Sequence, residues 1–133
     1  MKINDAANVL SALALEGRLA IFRLLVKAGP GGVKAGDIAH AVSANASTLS
    51  ANLNVLSHAG LIEGRRDGRA IYYAARYDRM SDLLAFLMDD CCNGTPEICL
   101  PLINIATRAA SCAHDQAEHE ETTRSAQAAS VQA

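Results

Sequence analysis

Apolar positions recur at helical spacing along most of this chain, with one short stretch where the pattern changes to strands. Residues 4–14, rich in Ala and Leu, predict a first helix. A second is predicted over residues 16–28, where Leu19, Phe22, Leu25 and Val26 share a stripe, and Gly29-Pro30-Gly31-Gly32 stops it. Residues 34–42 predict a short third helix with Ile38, Ala39 and Val42 on one face, and residues 43–45 a turn. The fourth helix is predicted over residues 47–59. Its Leu49, Leu53 and Leu56 face inward, which leaves Ser47, Thr48, Ser50, Ala51, Asn52 and Asn54 facing out. Gly60 closes it as a glycine just past the helix end.

Residues 61–66 and 69–75 then predict two strands around Asp67-Gly68, a two-residue hairpin signal. A fifth helix is predicted over residues 78–91, marked by Met80, Leu83, Leu84, Leu87 and Met88. That stripe is wide for a small monomer, so part of it is expected to face a second subunit. Asn93-Gly94-Thr95-Pro96 breaks this helix, and a last helix is expected over residues 101–113 in spite of Pro101. From Asp115 onward Ala, Gln, Ser, Thr and Glu dominate, a composition that predicts disorder. The expected organisation is one domain over residues 1–112 and a disordered tail over 113–133, with no internal repeat.

The order of these elements is that of a winged helix-turn-helix, a mainly α fold of five to six helices with a two-stranded hairpin as its wing. Short polar side chains on the fourth helix suit the major groove, where Ser, Thr and Asn meet base edges and phosphates. No acidic residue stands between Val42 and Leu61 to repel a phosphate backbone. The wing carries Arg65, Arg66 and Arg69, which can reach phosphates or a minor groove.

Composition and charge refine this picture. Half of the 133 residues are hydrophobic but only 4% are aromatic, so the core is built from aliphatic side chains. The formal net charge of −2 looks wrong for a DNA binder until its distribution is considered. Asp115, Glu118, Glu120 and Glu121 crowd the C-terminal end, whereas Arg65, Arg66, Arg69, Arg76 and Arg79 cluster around the wing. A local basic patch holds phosphates even on a slightly acidic chain. No apolar run is long enough to span a bilayer and the N-terminus has no signal-peptide layout, so a cytoplasmic location is expected. In that reducing compartment the four cysteines are expected as free thiols, ligands or redox sensors rather than disulfides. An enzyme is not expected, since there is no phosphate loop, nucleophile elbow or credible pair of catalytic carboxylates.

The segments Ala12-Leu13 through Arg18-Leu19, Ser47 through Leu56 with Ala59-Gly60-Leu61-Ile62, and the wing from Arg65 to Tyr73 resemble the ArsR (ArsR/SmtB) family of metal-responsive repressors. The resemblance covers roughly residues 5–90. It implies a homodimer, paired through the first and fifth helices, that binds operator DNA and is released by an inducer. Two departures stand out. Asn52 stands where members of the family often have His. The Cys-Val-Cys motif that arsenic sensors of the family often carry at the third helix is replaced by Gly32-Val33-Lys34-Ala35-Gly36-Asp37-Ile38, which has no thiol.

A thiophilic site must therefore lie elsewhere, and Cys91, Cys92 and Cys99 fall within nine residues. Three thiolates suit the pyramidal coordination of trivalent arsenic or antimony, including methylated arsenic. The arrangement also resembles arsenic sensors of the family with a C-terminal Cys-Cys…Cys site. Three other readings stay open. Cys91 continues an apolar stripe and would serve as a buried small hydrophobe. Thiol redox sensing needs lowered thiol pKa values, against which Asp89-Asp90 and a helix C-terminus both act. A zinc site could draw on Cys112, His114, Glu118 and His119, which are unevenly spaced. His40 and His58 are isolated and are expected at the surface or in packing.

Overall fold

The computed structural model describes residues 1–89, 97, 100–105 and 107–108. The chain divides into two units, Met1–Asp89 and Asp90–Ala133. The first contains five helices and a small sheet: α1 (Ile3–Leu13), α2 (Glu16–Ala28), β1 (Val33–Lys34), α3 (Ala35–Val42), α4 (Ala46–His58), β2 (Ile62–Asp67), β3 (Ala70–Ala75) and α5 (Tyr77–Met88). The sheet is antiparallel, in the order β1-β3-β2. In the second unit, residues 97, 100–105 and 107–108 are helical, Pro101 among them.

The core is aliphatic. Ala6, Val9 and Ala12 of α1 meet Ile21, Phe22 and Leu25 of α2, Ile38 of α3, Leu49, Leu53 and Leu56 of α4, and Leu83 of α5. Leu61, Ile62 and Ala75 close it from the sheet side. The stripe expected on α2 is shifted: Ile21 is fully buried, while Leu19 is 44% exposed. Ile21, Phe22 and Leu25 stand at i, i+1 and i+4, a stripe that the three-residue step from Leu19 to Phe22 does not reveal. Arg18 joins the first two helices, its Nε and Nη2 donating to the carbonyls of Ala12 and Ser11 at the end of α1. The Tyr77 hydroxyl donates to the Val26 carbonyl at 3.0 Å and ties the start of α5 to α2.

Helix ends explain the sharp turns. At the end of α4 the Leu61 N–H reaches the Leu56 carbonyl and the Gly60 N–H that of Ser57, each at 3.0 Å. This is a Schellman closure with Gly60 at φ +75°, as the sequence predicts. The hairpin differs slightly from expectation. Asp67 pairs with Ala70, so the two loop residues are Gly68 and Arg69 rather than Asp67 and Gly68. Gly68 alone has positive φ, +62°, which is the signature of a II′ turn with Gly first. The strand β1 was not expected. Two residues are too few to show an alternation, and only pairing of Val33 and Lys34 with Tyr73 and Tyr72 makes them a strand. The fifth helix is shorter than expected: it ends at Met88 and Asp89 is extended at φ −61°, ψ 126°. Cys91, read from the sequence as a continuation of the stripe, lies outside the described residues.

Candidate nucleic-acid interface

The helix-turn-helix proper is α3, a turn and α4. Ser43 adopts the left-handed conformation, φ +54°, and ends α3. Asn45 then caps α4: its Oδ1 accepts from the Thr48 N–H at 2.8 Å and from the Ser47 hydroxyl at 3.0 Å. This cap fixes the direction in which the first turn of α4 leaves the protein. Ser47, Thr48, Ser50, Ala51 and Asn54 are exposed along it, as expected.

Asn52 is the correction. It is only 8% exposed and lies on the buried side of α4. It stands three residues after Leu49 and four before Leu56, so helical geometry places it on the leucine stripe. Its amide fits because α2 offers Gly17 opposite: a Cβ there would come within 3.2 Å of Nδ2. A small residue in α2 facing a polar one in α4 was the only trace of this in the sequence.

The wing presents Arg65, Arg66 and Arg69 at the surface, on β2 and in the turn. Arg65 pairs with Tyr72 across the hairpin, and Lys34 of β1 pairs with Tyr72 from the other side. The three side chains thus share one face of the sheet. Lys34 Nζ lies 5.7 Å and Arg65 Cζ 6.0 Å from the centre of the Tyr72 ring, so both cations lean on its π-face. Lys34 thereby joins the basic surface of the wing, an addition that sequence reasoning missed because it depends on β1.

The other two arginines of the cluster behave differently. Arg76 bonds Asp78 at 2.7 Å. The hydrogen bond between them raises the guanidinium pKa and lowers that of the carboxyl, so both stay charged and satisfy each other. Arg79 packs beside Gly60, with its buried Nε unpartnered among the described residues. Among the described residues, the wing arginines Arg65, Arg66 and Arg69 and Lys34 are thus the cations of this surface with no acidic partner. Both expected surface histidines are exposed, and Nδ1 of His58 lies 2.7 Å from the Asn54 carbonyl oxygen.

Cys91, Cys92 and Cys99, and the zinc alternative of Cys112, His114, Glu118 and His119, lie outside the described residues. Among the described residues there is no group of three His, Cys, Asp or Glu side chains placed to hold a metal. No helix among them is long and apolar enough to cross a membrane.

A capped helix-turn-helix followed by an arginine-bearing hairpin defines a winged helix-turn-helix protein. Comparison with known proteins agrees. The helix-turn-helix domain family matches residues 16–65. The HTH-type transcriptional regulator Rv0324 of Mycobacterium tuberculosis is 39% identical over 85 residues, or 64% of this chain; the chain spans only 36% of that relative's length. One similar structure is the homodimeric winged helix-turn-helix DNA-binding domain Mb0332 from Mycobacterium bovis, a possible ArsR-family transcriptional regulator. It is 36% identical with a TM-score of 0.54, covering 66% of this chain and 82% of that one. Another is a possible transcriptional regulator for arsenical resistance, 30% identical with a TM-score of 0.54, covering 60% and 80% of the two chains. The chain belongs to the winged helix-turn-helix proteins of ArsR type.

Proposed function

We propose that this protein is an arsenic-responsive transcriptional repressor that binds operator DNA as a homodimer. The observation that carries the DNA reading is the pairing of a capped, polar-faced α4 with a wing whose arginines meet no acid among the described residues. Ser47, Thr48, Ser50, Ala51 and Asn54 face the major groove, and Arg65, Arg66 and Arg69 hold phosphates beside it. Asn52 has no part in base contact, being turned into the protein. The homodimer reading is supported by the apolar residues that α1 and α5 leave uncovered, with Ile3 78%, Leu84 49% and Leu87 51% exposed. The homodimeric state of the Mycobacterium bovis relative favours it further.

The inducer half of the proposal rests on Cys91, Cys92 and Cys99, and on the likeness to a possible regulator for arsenical resistance. Trivalent arsenic takes three thiols, each of which gives its proton to a departing hydroxide and releases water. Antimony and methylated arsenic offer related chemistry. Loading next to the end of α5 re-seats the dimer interface and so changes the separation of the two reading helices, roughly 34 Å in a DNA-competent dimer. By linkage, DNA then weakens arsenic binding by the same factor.

A mobility-shift titration with arsenite, antimonite, zinc and peroxide tests this. Arsenite and antimonite release the DNA, and Cys91→Ser, Cys92→Ser and Cys99→Ser each keep operator binding but lose most of that release. Zinc releasing DNA better than arsenite, or serine variants with a normal arsenite response, would refute the arsenic site. Equal affinity for operator and random DNA would refute the repressor.

A further inference from the structure

A cleft of about 620 Å³ opens between α2, the turn after α3 and the start of α4. Its floor is apolar, with Ile21, Leu24 and Ala44, and its rim carries Arg23 and Lys27 of α2. No acidic residue lines it, and neither cation takes part in an ion pair among the described residues. Asn52 lines it too, more than nine-tenths buried, with no hydrogen bond to its side chain among the described residues. Its amide atoms still reach the cleft opening, since Arg79 Nε is the one sealed and unpartnered side-chain polar atom among the described residues, so the amide is free to bond a molecule that enters.

From this we infer that the cleft is a binding site for a small organic anion, a carboxylate on an apolar ring or short chain. The volume lies in the range of small-molecule sites, which combine mostly apolar walls with a few polar groups that fix orientation. Arg23 and Lys27, four residues apart on one face of α2, take the carboxylate. The apolar body rests on Ile21, Leu24 and Ala44, and the Asn52 amide serves a polar atom of the ligand. A bare phosphate matches the cations and leaves the floor empty, so the organic anion fits the whole site better. None of the residues that line the cleft is a cysteine. It borders the α3–α4 turn and Thr48, so an occupant bears directly on the seating of the reading helix. That consequence rests on the DNA reading above, whereas binding itself does not.

The test is therefore made first without DNA. The full chain, uniformly labelled with ¹⁵N, is titrated with benzoate, with benzamide as its neutral counterpart, and with inorganic phosphate. Benzoate shifts the amide resonances of Gly17, Ala44 and Asn52 saturably below about 10 mM, the range expected of a weakly bound fragment. Benzamide and phosphate bind at least about tenfold more weakly, since each lacks one half of the recognition. The double variant Arg23→Ala/Lys27→Ala changes exposed side chains, keeps the fold as read from its spectrum, and loses about tenfold in benzoate affinity. No saturable shift with benzoate, benzamide binding as well as benzoate, or unchanged affinity in the double variant would each overturn the site. Phosphate binding as well as benzoate would overturn it as well, because the cations then serve a DNA backbone. Failure to bind operator DNA with benzoate binding intact would count against the repressor alone.

Discussion

Replacing Gly32 with Ala isolates the contact that attaches the wing sheet to the helices. Gly32 has φ +80° and stands just before β1. A Cβ built there lies 2.8 Å from the Tyr73 carbonyl oxygen and 3.2 Å from its carbon, where ordinary contact begins near 3.4 Å. The obstacle is backbone in the middle strand of the sheet, so no side-chain rotation relieves it. Two costs add: about 1–2 kcal/mol for an L-residue in the left-handed region, and about 1–3 kcal/mol for forcing packed groups apart. Gly68→Ala provides the control. Gly68 also has positive φ, +62°, but no heavy atom lies within 4 Å of its added Cβ. It incurs the first cost without the second, and the gain from stiffening the unfolded chain is common to both. Urea denaturation at one fixed protein concentration should therefore place Gly32→Ala below Gly68→Ala by about 1–3 kcal/mol. Fixed concentration matters because the proposed homodimer would make stability depend on it. Equal destabilisation by the two variants, or a larger loss at Gly68, would mean that the β1–β3 approach is not as tight as described.

The remaining expectations concern charge. Arg65→Ala and Arg66→Ala should each weaken operator binding about tenfold and lower its salt slope by roughly one, if each removes a phosphate contact; fluorescence anisotropy across a salt series reads both. Asp78→Asn should lower the thermal midpoint at neutral pH, because the Arg76 guanidinium holds the Asp78 carboxyl below its ordinary value. A depressed folded-state pKa contributes stability above the unfolded value and loses it as pH falls through the folded one. The gap between wild type and variant should accordingly close below the usual carboxylate range and shrink in high salt, the pair being fully exposed. A gap that persists at low pH would assign the effect to something other than this pair.

Much of the architecture is already written in local signals. Three leucines at i, i+4 and i+7, a glycine past the helix end and an Asp-Gly between apolar runs each constrain the chain through its nearest neighbours. For that reason α4 and its Schellman closure appear where the sequence predicts them, within a residue, and the hairpin turn falls one residue later, at Gly68-Arg69. The exposed polar face of α4 and the wing arginines follow from the same periodicities. What the tertiary structure decided depends on residues far apart in sequence. Val33 and Lys34 become a strand only because Tyr72 and Tyr73 lie alongside, and that pairing alone brings Lys34 and Arg65 to one aromatic ring. Asn52 carries a polar side chain on an apolar stripe, a conflict that composition resolves one way and packing the other. Its amide went inside because Gly17 leaves the space there. A pattern of polar and apolar residues records what each side chain prefers, and only the packed neighbours determine whether that preference can be met.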